Sequence, residues 1–277
     1  MKRLVLLLAA FSVVVVSCQK KGNTTVASSD DEFISKMKSL KAGYLAQEQN
    51  SGYAHRNVPS AGRAVWADAC GAAGGAGGGP LASFACAFCF SVYDLYQQGA
   101  FSEVANGNNG TTSNPSNPSD YIGTLHNVSV MQFVTANKSI TINSSNSQVL
   151  NQYAINQWIA HNYAYTAAQM QFATNYNYIS NYGIFINQSV YSTSGIDGLI
   201  NIAVANNYLT SAEGSVLQQY FNDINSLSTL QDIQAYSIGV ENSLSTSGLP
   251  QASIQKLYTV MSVARNSITL YFNTGVI

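Results

Sequence analysis

The stretch Trp66-Ala-Asp-Ala-Cys-Gly-Ala-Ala-Gly-Gly-Ala-Gly-Gly-Gly-Pro80, continued by Leu81-Ala-Ser-Phe-Ala-Cys-Ala-Phe-Cys-Phe-Ser-Val-Tyr93, decides how this chain can fold. Between Asp68 and Asp94 it carries no charge. Gly71, Gly75 and Gly79 recur at four-residue spacing, the small-residue pattern that lets two helix backbones approach closely. Against a continuous helix stand the five glycines from Gly74 to Gly79, each costing about 1 kcal/mol relative to Ala, and Pro80 after them. The reading is therefore a Gly-rich loop feeding a buried helix that starts at Pro80, a favourable first helical position. The glycines form no phosphate cradle, because no Lys-Ser or Lys-Thr follows them and no strand pattern precedes them.

Towards the C-terminus, residues 106–120 are almost entirely Asn, Gly, Ser, Thr and Pro, which reads as a surface linker. Beyond it the periodicity is helical. Residues 147–180 carry Leu150, Ala154, Trp158, His161, Tyr165 and Ala168 at three- and four-residue steps. Ser194 with Asp197 starts a further helix, and Thr210 with Glu213 and Ser228 with Gln231 read as capping boxes before two more. Gly248 closes one helix and Pro250 opens the last, with Ile254, Leu257, Tyr258, Met261, Ile268 and Tyr271 as its apolar stripe. The fold class expected is mainly α, a multi-helix bundle with a Gly/Ala-rich apolar N-terminal segment.

Towards the N-terminus, residues 52–62 read as a loop, and a helix is expected from Asp31 to Gln49, with Phe33, Ile34, Met37, Leu40 and Leu45 on one face. The first 17 residues have the organisation of an export signal: Lys2 and Arg3, then an apolar run from Leu4 to Val16 broken only by Ser12. That run is shorter than the ~20 residues a membrane span needs. Val15-Val16-Ser17-Cys18 resembles the lipobox of bacterial lipoproteins, although Val stands where Leu and Ala or Ser are commoner. The resemblance implies cleavage before Cys18 and acylation of that cysteine, giving anchorage by several chains at about 0.8 kcal/mol per buried CH₂. Gln19 in place of Asp points to the outer membrane. Ser28-Ser-Asp-Asp-Glu-Phe33 resembles short acidic surface-export signals and equally suits a helix N-terminus, with Ser29 or Asp30 as cap. The organisation expected is signal 1–17, tether 18–30, N-terminal helical region 31–105, linker 106–120 and C-terminal helical domain 121–277.

Composition narrows the partners. Hydrophobic residues make up 46% of the 277, enough for a sizeable core, while charged residues are only 9% against the ~25% usual for soluble domains. With Lys+Arg 12 against Asp+Glu 13 and no basic stripe, nucleic acid is not an expected partner. Partners are met through hydrogen bonds and aromatic contacts, for which 17 tyrosines are suited. The expected partners are the membrane, through the lipid, and a protein or envelope component.

Cys70, Cys86 and Cys89 remain once Cys18 is lipidated. Cys86-Ala-Phe-Cys89 has the spacing of a redox or metal motif, but lies inside an apolar run without a preceding strand. Buried thiols or a structural disulfide fit better.

The lipobox, the Trp66-Ala-Asp-Ala69 segment entering Gly/Ala-rich sequence, and Asp120-Tyr-Ile-Gly-Thr-Leu-His-Asn127 after an Asn/Pro-rich linker together resemble a group of uncharacterised exported lipoproteins of Bacteroidota-type bacteria. In that group a glycine-zipper-like segment precedes an Asn-Pro-x-Asp/Tyr-x-x-Gly-x-x-His-Asn pattern and a helical tail. The specific match spans Trp66 to Asn127, and this chain departs in two extra cysteines and a longer linker. The resemblance implies location and architecture, and no activity.

Trp66, Asp68, His126 and Asn127 are the candidate ligand-contacting or structural residues, the last two also suited to capping a helix start. A cysteine with His126 and Asn127 supplies the residue types of a cysteine hydrolase, without a recognisable nucleophile motif. His55, His126 and His161 lack zinc-site spacing, so no metal and no cofactor is expected. The functional expectation is a non-enzymatic envelope lipoprotein with a binding or structural role. Its competitors are a membrane-active protein inserting residues 69–92 and, last, the hydrolase.

Overall fold

The computed structural model describes residues 28–51, 62–144 and 146–276. The expected export signal, Cys18, most of the expected tether and all but Gly62 of the loop expected at 52–62 lie outside the described residues.

The decisive stretch folds as a hairpin of two helices, α2 (Arg63–Gly75) and α3 (Gly79–Gln98), joined by one 3₁₀ turn, Ala76–Gly78. The expected Gly-rich loop is thus corrected: the first helix continues through Gly71, Gly74 and Gly75. The physical reason is contact between backbones. A Cβ on Gly71 would lie 2.6 Å from the Cys86 carbonyl oxygen, and one on Gly75 would lie 2.6 Å from Ser83 Cα. Residue 71 faces 86 and residue 75 faces 83, so the helices run antiparallel at a separation only glycine permits. Dispersion along that seam offsets the low helix propensity of the glycines. Gly79, the third of the spaced glycines, lies outside the seam and instead, at φ +81°, makes the left-handed turn from which α3 starts.

Around the hairpin stand α1 (Ser29–Ser51), α4 (Phe101–Asn106), α5 (Asp120–Ala136), α6 (Gln148–Ala160), α7 (Ala167–Asn175), α8 (Tyr178–Phe185), α9 (Gln188–Ala205), α10 (Ser211–Ile224), α11 (Leu230–Ser243) and α12 (Gln251–Thr274). The protein is mainly helical, a multi-helix bundle, with no strand among the described residues. One buried apolar cluster runs from Phe33 in α1 to Tyr271 in α12. The last helix lies at its centre, buried on every side from Leu257 to Tyr271, against α2 and α5. Its expected stripe is there, but Ser262, Arg265, Asn266 and Ser267 are equally buried.

Several boundaries differ from expectation for local reasons. The long helix expected over 147–180 is three: Asn162 turns left-handed at φ +56°, Thr166 caps α7 in a box with Gln169, and Asn177 caps α8 through the Ser180 amide. Asn and Thr offer the backbone these alternatives to helix. α9 starts at an Asn187 cap ahead of the expected Ser194 and bends at Gly195. The Thr210–Glu213 box opens α10 as read, whereas α11 is capped by Thr229, not Ser228.

Segment 106–120, expected at the surface, is partly inside: Gly110, Asn114, Asn117 and Ser119 are buried. Arg265 explains it. Its Nε donates to Glu241 Oε1 at 2.8 Å, and the rest of the guanidinium reaches Asp120 and the Thr112 carbonyl. Asn114 and Asn117 each donate to Glu241 Oε2, at 2.8 and 2.9 Å. A polar segment thus enters the core because a buried acid and a buried base consume its hydrogen bonds.

Candidate functional site

The same central helix gathers the candidate residues. α2 brings Asp68, α3 brings Ser91, α5 brings His126 and Asn127, and α12 brings Asn266, Ser267 and Tyr271; all are buried. Asp68 Oδ2 accepts from the Tyr271 hydroxyl at 2.8 Å, and Ser91 Oγ stands 2.7 Å from that hydroxyl. Since the Tyr271 proton is used on Asp68, Ser91 is the donor to Tyr271. His126 Nδ1 stands 3.2 Å from Asn127 Oδ1, which can only accept, so Nδ1 carries the proton. Nε2 is then the lone-pair nitrogen of a neutral ring, 3.7 Å from Asp68 Oδ2. Asn127 Nδ2 donates to the Gly110 and Asn266 carbonyls, at 2.8 and 2.6 Å, tying the linker and α12 to α5.

Burial dominates the electrostatics. It pushes the Asp68 carboxyl well above the usual carboxylate range, against the neighbouring hydroxyls of Ser267, Tyr271 and Ser91, which pull it down. Burial also lowers His126 to about 4, with Asn127 and the Ala87 backbone opposing. Both groups are thereby driven to their neutral forms. Asp68 Oδ1, Ser129 Oγ and Ser267 Oγ are sealed without a hydrogen bond of standard geometry. The arrangement holds four helices together by short polar contacts and buries the imidazole.

The other candidates are in the core as well. Trp66 packs edge-on against Phe221 with ring centroids 5.5 Å apart. His126 and Asn127 lie within α5, not at its start, where Asp120 stands instead. Cys70, Cys86 and Cys89 are free and buried, with no disulfide among them. Cys89 Sγ donates to Asn151 Oδ1 at 3.1 Å. Burial raises all three thiols above their ordinary range, the opposite of an activated nucleophile. Among the described residues no group of three or more His, Cys, Asp or Glu is placed to hold a metal.

Tyr271, Ser91, Asn266 and the Arg265–Glu241 pair were missed by sequence reasoning. One signal was present: Arg265-Asn266-Ser267 interrupts an apolar stripe between Met261 and Ile268, which marks a polar centre inside the bundle. A second acid went unread. Asp94 is bound by Arg63 Nε at 2.9 Å and by the Tyr182 hydroxyl, joining the hairpin to α8. Comparison with protein families, with curated proteins and with solved structures finds no match.

Proposed function

We propose that the protein is a cell-envelope lipoprotein, held at the outer membrane by lipid on Cys18, whose helical domain has a binding or structural role and not an enzymatic one. Kinship with the exported lipoproteins resembled by residues 66–127 belongs to the same reading. The observation that carries the domain's role is the sealing of its chemistry-bearing residues: Asp68, His126 and the three thiols are buried, and burial favours their uncharged forms. A hydrolase would need a thiolate and an imidazole within reach of a substrate.

A second reading takes residues 69–92 as a membrane-inserting segment, and Arg63–Gln98 is long and apolar enough in composition to cross a bilayer. The packing speaks for the first reading. Phe84 lies against Trp158, Phe88 against Phe133 and Tyr153, and Phe90 against Tyr182, all three phenylalanines buried. Insertion would strip these contacts from the core. Growth with a labelled fatty acid tests the anchor: label and outer-membrane fractionation are expected for the wild type and lost in Cys18→Ala, and equal labelling of both sinks the proposal.

A further inference from the structure

Two clefts meet at Asn175, Tyr176 and Asn177, where α7 passes to α8. One, of about 580 Å³, opens between the start of α6 and this junction; the other, of about 450 Å³, lies along α7. Each falls within the size range of small-molecule sites, roughly 300–1,000 Å³. The larger is walled by amides and hydroxyls, among them Ser147, Gln148, Asn151, Thr174, Asn177 and Ser180, and no charged side chain lines either cleft. The smaller supplies an aromatic surface: Phe172 and Tyr176 are stacked, with centroids 5.6 Å apart and planes at 28°.

The groove is preformed. Asn151 Nδ2 donates to the Tyr176 carbonyl at 3.1 Å while its Oδ1 accepts from Cys89, which fixes the floor to α3. Asn177 is held by its capping bond to the Ser180 amide. Tyr178, 2% exposed, also lines the larger cleft; its hydroxyl has Ser147 beside it but no hydrogen bond of standard geometry.

We propose that the joined groove binds a neutral carbohydrate chain. Amides and hydroxyls offer donors and acceptors together, as sugar hydroxyls require, and the aromatic pair offers a face for the C–H side of a pyranose. An acidic or basic ligand would meet no countercharge there. A peptide fits less well, since the described residues include no strand edge for its backbone to extend. The inference rests on the binding role proposed above and names the class of ligand.

The test uses the mature chain carrying Cys18→Ser, titrated by calorimetry and amide NMR with neutral hexasaccharides of glucose, mannose and N-acetylglucosamine. Hexagalacturonate and an uncharged Gly/Ser/Asn peptide are run beside them. At least one neutral hexasaccharide is expected to bind and shift residues 147–180. Asn175→Trp, which fills the groove from an exposed position, and Phe172→Ala are expected to weaken binding about tenfold or more, with Phe172→Tyr retaining it. Circular dichroism verifies that each variant is folded. No neutral saccharide binding to the folded chain, binding of the charged sugar or the peptide instead, or binding untouched by Asn175→Trp would overturn the proposal. Failure here with Cys18-dependent lipidation intact removes the carbohydrate and leaves the anchored protein; loss of lipidation removes the anchor alone.

Discussion

Asp68 and His126 face each other across the centre of the bundle, Oδ2 to Nε2 at 3.7 Å, with both side chains cut off from solvent. Burial drives both partners towards their neutral forms, and the pH dependence has two arms. His126 is lowered to about 4, so the unfolded chain takes the proton first as pH falls through the ordinary histidine value of 6.5, and stability drains away from there down to about 4. Asp68 is raised, so the unfolded chain loses its proton first as pH rises above the ordinary 3.8, and this group destabilises increasingly up to its native pKa.

Asp68→Asn separates the arms. Asparagine copies the neutral carboxyl and still accepts from Tyr271, so below about pH 4 the variant and the wild type are expected to denature alike. Above it the variant gains, by about 1.4 kcal/mol for each pH unit until the native pKa of Asp68 is passed. Urea titrations at several pH values measure this. A variant that loses more at pH 7 than at pH 4 would mean that the pair is ionic.

The hairpin seam gives a glycine series. Gly75→Ala is expected to destabilise by several kcal/mol, on the order of a severe overpacking, because its Cβ meets Ala82 and Ser83 backbone. Gly77→Ala, with open space around the new Cβ, should be neutral or slightly favourable. Gly43→Ala, exposed within α1 and also unobstructed, should stabilise by about 1 kcal/mol. Thermal midpoints in the opposite order would refute the seam.

Arg265 can be tested by removal and by pairing. Arg265→Met leaves Glu241 and Asp120 without their cation and should cost about 3–5 kcal/mol. Adding Glu241→Gln is expected to restore part of that loss, since the buried charge goes with its partner. Additive losses in denaturant titrations would argue that the pair is not coupled.

In the native chain carrying Cys18→Ser, the thiols of Cys70, Cys86 and Cys89 should ignore a thiol-specific chromogenic reagent and react together once denaturant is added. Rapid reaction of any of them under native conditions would reopen the nucleophile reading.

Dye-loaded vesicles examine the insertion reading. The chain from residue 18 onward, carrying Cys18→Ser, is expected to release no dye, because Phe84, Phe88 and Phe90 are already packed against protein. Release by the wild type that Gly75→Leu abolishes would favour insertion.

Helical character, the Thr210 cap and the small-residue spacing at Gly71 and Gly75 were legible because each depends on residues close in sequence. Propensity misled at the hairpin, since tertiary contact between backbones outweighs what glycine costs locally. Asn162 and Gly195 break helices through φ values that periodicity does not encode. The docking of residues 106–120 was unreadable for another reason. Asn, Ser and Pro have the same composition whether they face water or a buried Glu241, and the arginine that decides between these is more than a hundred residues away. Among the candidates, Asp68, His126 and Asn127 do come together, as hydrogen-bonding members of the core.

The position of α12 sets an order of assembly. A chain made from its N-terminus presents Arg63–Gln98 long before Leu257–Tyr271 arrives to occupy the centre. Until then the hairpin can close on itself along its glycine seam, but Asp68 lacks Tyr271 and the linker lacks Arg265. Completion of the core therefore waits on α12. A ribosome that stalls or a protease that trims before that helix leaves an adhesive intermediate with bare apolar faces, suited to aggregation or to a chaperone holdase.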